Sequence, residues 1–416
     1  MAEKILIISP VPVLPGHAGN RMRIKSICSV LMEQGYVLDF FYTGFEKSLS
    51  GDHTDFFNGS VLNYKIDDSP VELLRDPLLR LKEILNGIKI KASYLQRKFT
   101  SGSDSAIFNK SLYEFKNLKK IQLLNDQISG KNYKAVILNY SVYSHLFDLF
   151  DEQTIKIIDT HDRLSDRYQL FLNEGLEPVE WKSISPADEK KSLEKADVIW
   201  AITDSEANYF RTLIKKNQTI IATVPHLSPF KVVPVSNYKS RKKLLTVGGK
   251  SVINVNGLNW FLTEVWSQVW SSFPEAELFV GGSICDAVDQ FATTEGVTLL
   301  GRFDNPEEVY HTADLCVNPI QFGTGLKIKT IEALSSCKKI ITTIEGAAGL
   351  DRFIGKGLIC SDDSDVWIEK ISTHFTNSDS SEIEAAVLEN EVHKYNEDAL
   401  SNILKSIKGF KDASLS

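Results

Sequence analysis

The chain has 416 residues, too many for one hydrophobic core of ordinary size, so two domains are expected. With 43% hydrophobic and 24% charged residues, it reads as a folded globular protein and not a disordered one. A formal net charge of −7 argues against a general nucleic-acid binder, whose surface would be basic.

In chain order, KILIIS at residues 4–9 predicts a first core strand. The longer apolar stretch that it opens is broken by Pro10, Pro12 and Pro15 and lacks a small-residue cleavage site, so no signal peptide is expected. A helix from about Asn20 to Glu33 follows. Further strands are expected at 36–42, 134–140, 155–160, 197–203 and 219–224. A second series is expected at 243–248, 277–282, 297–301, 314–319, 339–344 and 357–360. Continuous apolar strands separated by amphipathic helices imply parallel sheets covered on both faces. Two such series imply an α/β chain of two doubly wound units. The division is expected in the proline- and lysine-containing stretch 226–243, giving units of 1–235 and 236–385. A closing helical segment at 386–416 is expected to pack back toward the first unit.

The segment 75–98 differs in composition. Arg75, Arg80, Lys82, Lys89, Lys91, Arg97 and Lys98 face only Asp76 and Glu83, with leucines and isoleucines between them. One reading is an ordinary core stripe under a solvated face. The other is a basic amphipathic patch that makes peripheral membrane contact on anionic lipid, or grips an acidic acceptor.

No run reaches the ~18 apolar residues that span a bilayer. The five cysteines, Cys28, Cys285, Cys316, Cys337 and Cys360, are scattered and form no CxxC pair. Neither a disulfide framework nor a zinc site is expected, and a reducing, cytoplasmic setting fits.

The stretch QFGTGLKIKTIEAL, residues 321–334, carries the strongest chemical signal. It follows an apolar strand and runs into a helix expected to begin near Leu326, where the orphan amides and dipole of a helix start attract phosphate. Gly323 and Gly325 allow close approach, and Lys327 and Lys329 add charge. Glu332, inside the helix, suits sugar hydroxyls better than phosphate. One helix start would thus hold a sugar nucleotide by pyrophosphate and ribose together.

In the first half, His161 follows an apolar strand directly, so it lies at a carboxyl end, where open α/β sheets bind ligands. Asp162 is expected to orient it and Arg167 to anchor the loop or meet an acceptor. Arg21 and Arg23 are read either as contacts to an acidic acceptor or donor phosphate, or as exposed first-turn helix residues. Glu206 is read as a helix-start residue. GGKS at 248–251 is no phosphate loop of the Walker type, because position 244 is leucine where that motif needs glycine. GHAGN in the first half is not the dinucleotide fingerprint.

These residues resemble a family. The pattern G-x-G-x-K-x-K-x-x-E-A-L, followed by KKIITTIEGAAGL at 338–350, is similar to the donor-site signature of bacterial GT-B glycosyltransferases of the large retaining family 4 (group 1). LLTVGG, NGLNWFLTEVWSQVWSSFPEAELFVGG and LLGRFDNPEEVYHTADLCVNP resemble the segments that precede that signature, in order. The opening ILIISPVPVLPGHAGN and the loop IDTHDRLSDR resemble the family's first glycine loop and its active-site histidine loop.

The resemblance implies a GT-B fold, two Rossmann-like domains facing across a cleft, acceptor-side first and nucleotide-sugar-binding second. It implies that Glu332 binds ribose and that amides near Gly325, Leu326 and Lys327 meet the diphosphate. Gly16 and Gly19 would form the first-domain loop toward the donor, and His161 would sit against the transferred sugar. It further implies retaining transfer to a glycan or lipid-linked acceptor in cell-surface polysaccharide synthesis, with no cofactor and no metal.

Three positions depart from the pattern. Thr324 stands where many members carry a first glutamate, and Gly249 and Asn256 stand where many carry diphosphate-gripping Arg and Lys. Lys327 and Lys329, helped by Lys250 beside Gly248 and Gly249, are expected to supply the missing charge. The departures keep two alternatives open, a catalytically silent protein of the same fold that binds a nucleotide sugar or a partner, and a nucleotide-sugar epimerase.

Overall fold

The computed structural model describes residues 2–15, 18–44, 52–62, 77–178, 183–215, 218–228, 242–288, 291, 293–303, 306–376 and 382–408. The chain divides into two compact units. The first comprises Met1–Gly16, Asn20–Val224 and Ser401–Ser416, and the second His17–Gly19 and Pro225–Leu400.

The first unit is built on seven strands: β1 (Lys4–Ser9), β2 (Val37–Tyr42), β3 (Val61–Leu62), β4 (Ala135–Asn139), β5 (Ile155–Asp159), β6 (Val198–Ala201) and β7 (Ile220–Thr223). They lie in the order β3-β2-β1-β4-β5-β6-β7, every pair parallel. All five residues of β4 are buried, and four of five in β5. This is why these strands read as unbroken apolar runs: helices cover both faces. Leu6, Ile8, Val136, Leu138, Ile158 and Ile199 lie at the centre of one core, with Phe147 and Phe210 packed on them from the helical layer. Strand β3, only two residues long, was not expected from the pattern.

The second unit has six strands: β8 (Lys243–Val247), β9 (Glu277–Gly281), β10 (Val297–Gly301), β11 (Leu315–Asn318), β12 (Lys339–Thr342) and β13 (Leu358–Cys360). Their order, β10-β9-β8-β11-β12-β13, is again all parallel. Its core gathers Leu244, Leu278, Val317 and Ile341 from the sheet, under Phe261, Trp266 and Trp367.

Both strand orders are those of a doubly wound Rossmann-type sheet, and both reverse direction beside the first strand. The reversal lies between β1 and β4 in one unit and between β8 and β11 in the other. There, neighbouring loops leave in opposite directions and a crevice opens at the carboxyl ends. Residues 229–241, within the expected interdomain stretch, lie outside the described residues. A long helix, Glu382–Lys408, follows the second sheet, and within the first unit Asn402 Nδ2 donates to the carbonyl of Thr223 at 2.8 Å.

Candidate functional site

The switch point of the second unit collects most of the donor-site residues named from sequence. The loop after β8 is pinned by its backbone. Gly248 donates to the carbonyl of Gly281 at 2.9 Å and accepts from the amide of Ile284 at 3.0 Å, while the Lys250 amide donates to Ser283 Oγ at 3.0 Å. A Cβ on Gly248 would lie 3.3 Å from Ile284 and 3.4 Å from Asn254 Cγ, tighter than side chains normally pack. The Lys250 side chain is exposed, near enough to Asp286 to join Arg302, the larger influence, in lowering that carboxyl's pKa.

Asn254 was not singled out in the sequence. It sits in the first turn of the helix Val252–Trp260, whose start is capped by Ser251. Its Nδ2 donates to the carbonyl of Gly249 at 2.8 Å, which turns Oδ1 toward the next loop. That oxygen accepts from Lys329 Nζ at 2.8 Å. One amide therefore joins the loop after β8 to the loop after β11.

Following β11, the chain passes Gly323 at φ 152° and Gly325 at φ 70°, conformations in which a side chain would be strained. The helix spans Ile328–Ser335, two residues later than expected, with Lys327 at its cap and no side chain capping it. The Thr330 amide donates to the carbonyl of Lys327 at 2.8 Å, and no side chain caps the amides of Ile328 and Lys329 ahead of it. Thr330 anchors the turn by donating to the carbonyl of Gly346 and accepting from Asn318 Nδ2.

The two lysines part company. Lys329 points to Asn254 and is half-buried. Lys327 turns inward, and its ammonium donates to the carbonyls of Thr324 and Gly325, both at 3.1 Å, and to Glu345 Oε1 at 2.5 Å. All three of its protons are engaged and its charge is matched. The expectation that Lys327 supplies charge to a diphosphate is corrected: it clamps the loop. Successive side chains two apart on a helix start face different ways, so only one could reach the crevice.

Glu332 is buried, its Oε2 accepting from the Tyr310 hydroxyl at 3.0 Å. Burial pushes its pKa up to about 7, against the Tyr310 hydrogen bond and the Lys329 charge. Burial pushes Lys329 down to about 7, reinforced by the charge of Lys327 and opposed by Glu332. Near neutrality, both groups thus sit close to their titration points. An arriving dianion would drive Lys329 to its charged form, and hydroxyl donors would favour the Glu332 carboxylate.

The first unit holds a second cluster. His161, just past β5, takes φ 62° and is 5% exposed. Its ring stacks on Tyr140 with centroids 4.4 Å apart and planes 12° apart. Asn139, the last residue of β4, donates through Nδ2 to the carbonyl of Ile8, so its Oδ1 faces the ring, 2.7 Å from His161 Nε2. Asp159 Oδ2 lies 3.4 Å from the same nitrogen. Both neighbours accept, so Nε2 carries a proton.

Here the expected partner is corrected. Asp162 is ion-paired with Arg167 at 2.9 Å, while Asn139 and Asp159 hold the histidine. Arg167 is itself buried, in accord with a loop anchor. Arg23 is corrected too, being neither an exposed first-turn residue nor an acceptor contact. It is fully buried, bonds Asp159 through Nε and Nη2 at 2.6 to 3.0 Å, and donates to the carbonyl of Val224. Arg21 is half-buried on the same helix, Gly19–Glu33. Gly16 lies outside the described residues, and Gly19 opens the helix.

The loop after His161 is tied down by two carboxylates. Glu206 accepts from the Arg163 amide at 2.9 Å, and Glu189 accepts from the amides of Leu164 and Ser165 at 2.8 and 3.1 Å. The one Asp-x-Asp triplet of the sequence, Asp363 to Asp365, bonds internally at a helix start, Asp363 Oδ1 accepting from the Asp365 amide.

Residues 241–377, which contain the switch point just described, match the family model described as glycosyl transferases group 1. No curated protein matches the chain. Among solved structures, it is similar to TarM at 11% identity and TM-score 0.65, covering 98% of this chain and 99% of that one. The sucrose-phosphate synthase from Thermosynechococcus elongatus is similar at 13% identity and TM-score 0.66, covering 99% and 100%. The pneumococcal O-GlcNAc transferase GtfA, solved with UDP and GlcNAc, is similar at 12% identity and TM-score 0.62, covering 98% and 99%. The chain thus shares the GT-B fold of these structures, and residues 241–377 of its second unit match the glycosyl transferases group 1 model.

Proposed function

We propose that the protein transfers a sugar from a nucleoside-diphosphate sugar to a glycan or lipid-linked acceptor. The donor's diphosphate rests on the uncapped start of the helix Ile328–Ser335, with Lys329 against it and Glu332 on the ribose. The observation that carries this reading is the bond from Lys329 Nζ to Asn254 Oδ1, which poises a cation where the family's usual Arg and Lys are missing. That the GtfA neighbour was solved with UDP agrees with a uridine nucleotide as the donor's carrier.

In this reading, charge builds on the leaving diphosphate as the glycosidic bond breaks, and the helix amides and the Lys329 cation stabilise it in place of a metal. In its neutral form, His161 accepts at Nδ1 from a hydroxyl of the transferred sugar, while Nε2 keeps its proton toward Asn139. The resemblance to retaining enzymes supports attack from the face that the diphosphate leaves. The residues of the first unit meet the acceptor. The five free thiols suit a cytoplasmic enzyme, and cell-surface polysaccharide or glycolipid is the product class in keeping with the resemblance.

The test is a thermal-shift screen of nucleotides and nucleotide sugars, followed by assay of the stabilising donor with and without glycan acceptors. Transfer supports the proposal. Binding without turnover would favour the silent reading, and release of an altered nucleotide sugar without acceptor would favour an epimerase.

A further inference from the structure

The helix Pro77–Thr100 of the first unit carries an unpartnered apolar face, and its geometry is specific. At about 100° per residue, Leu81, Ile84, Leu85, Ile88, Leu95 and Phe99 fall within an arc of about 100°. All six are exposed, from 47% at Leu85 to 84% at Phe99. The opposite side of the helix is the one that packs. Arg97 is buried there with Glu114 3.9 Å away, and Asn86 Nδ2 donates to the carbonyl of Tyr113 at 3.1 Å. The sequence thus turns its greasy side away from its own unit, the reverse of a surface helix in a water-soluble domain.

Charge decides the occupant. On the same helical wheel, Lys82 and Lys89 flank the apolar arc on one side, and Lys91 and Lys98 flank it on the other. All four are exposed, although the Lys89 ammonium lies 5.4 Å from the centroid of the Tyr113 ring, and Glu83 falls on the packing side of the wheel. The chain as a whole is negative, at −7, so this cationic frame is local. An apolar strip framed by lysines on both edges matches a surface that is apolar in depth and anionic at its rim. Among the described residues, no helix is long and apolar enough to cross a membrane, so such a helix would lie in the interface and not span it.

We infer that this face docks on an anionic lipid bilayer, with Ile84, Ile88 and Phe99 sunk among the acyl chains, Lys82, Lys91 and Lys98 at the phosphate level, and Lys89 joining them on leaving the Tyr113 ring. The inference is independent of the donor site, since it needs no turnover.

The experiment is flotation of the full chain with vesicles of phosphatidylcholine alone and of phosphatidylcholine with ~30% phosphatidylglycerol. Binding is expected only to the anionic vesicles and should weaken as salt rises. Lys82→Ala/Lys89→Ala/Lys91→Ala/Lys98→Ala should lower the affinity by about 10²-fold or more. Ile84→Ser/Ile88→Ser should lower it by at least ~10-fold, and because both side chains are exposed the fold is left intact. A second readout is Phe99→Trp, whose emission should shift to the blue with anionic vesicles and stay put with neutral ones. Equal binding to both vesicle types, or binding indifferent to the isoleucine pair, would overturn the inference. So would failure to float together with self-association that Ile84→Ser/Ile88→Ser abolishes, which would assign the face to a second copy of the chain.

Discussion

Lys329 Nζ and Asn254 Oδ1 lie 2.8 Å apart, and through this bond two loops 75 residues apart in the chain share one cation. The asparagine holds the ammonium at an uncapped helix start without neutralising it, which a carboxylate in the same place would do. Lys329→Ala is expected to lower turnover by roughly 10²–10³, the range for loss of a preorganised charge-stabilising group. Asn254→Ala keeps the charge but frees its position, so it should fall between wild type and Lys329→Ala in kcat/KM.

Lys327 should behave differently, although it is only two residues away. Its ammonium satisfies Thr324, Gly325 and Glu345, so Lys327→Met is expected to cost about 1–3 kcal/mol of stability, read by urea denaturation. Glu345→Gln should cost part of the same amount. Should Lys327→Met instead leave stability unchanged while abolishing donor binding, the clamp role is wrong.

The pH dependence follows from Glu332 and Lys329. Glu332 has a pKa raised from 4.5 to about 7 when folded, so it favours the native state fully below pH 4.5 and loses that contribution as pH rises through 7. Glu332→Gln is therefore expected to raise Tm at pH 8, by roughly 2–8 °C, and to make no difference at pH 4. Lys329, lowered to about 7, loses its charge above that value, so UDP affinity should fall from pH 7 to 9. Lys329→Met should flatten that alkaline decline. A decline of equal slope in the variant would show that another group titrates.

The Arg23–Asp159 pair is buried at both ends, at 0% and 1% exposure, beneath His161. Arg23→Met is expected to destabilise by about 3–5 kcal/mol, because it leaves an unmatched carboxylate in the core. Arg23→Met/Asp159→Leu should recover much of this in stability while remaining poor in transfer, since the histidine has then lost one of its two fixed neighbours.

His161→Ala and Asn139→Leu test the tautomer. Both should lower transfer by roughly 10–10³ with UDP affinity little changed, because UDP carries no transferred sugar. Wild-type transfer in either would remove the histidine from the mechanism.

What could be read from sequence divides along a physical line. Strands such as β4 and β5 are buried on both faces and therefore print as uninterrupted apolar runs, and Gly325 and Glu332 announce a helix start with a polar interior residue. Contacts made at a distance left no such print. Arg23 meets Asp159 136 residues away, and Asn139 reaches His161 across a strand pair, so both polar residues looked like ordinary helix and strand-end positions. Asn254 could have been suspected from its place in the first turn after GGKS, but its partner lies on another loop. Lys327 and Lys329 look alike as letters, and only the direction in which each leaves the helix start separates clamp from candidate catalyst.

The measurement that bears most directly on the diphosphate site is calorimetric titration of UDP and of uridine into wild-type protein and Lys329→Ala at pH 6.5. A diphosphate seated on the helix start at Ile328 predicts that wild type binds UDP at least ~10-fold more tightly than uridine and that the variant loses most of this preference. An undiminished preference for UDP in Lys329→Ala would contradict the account.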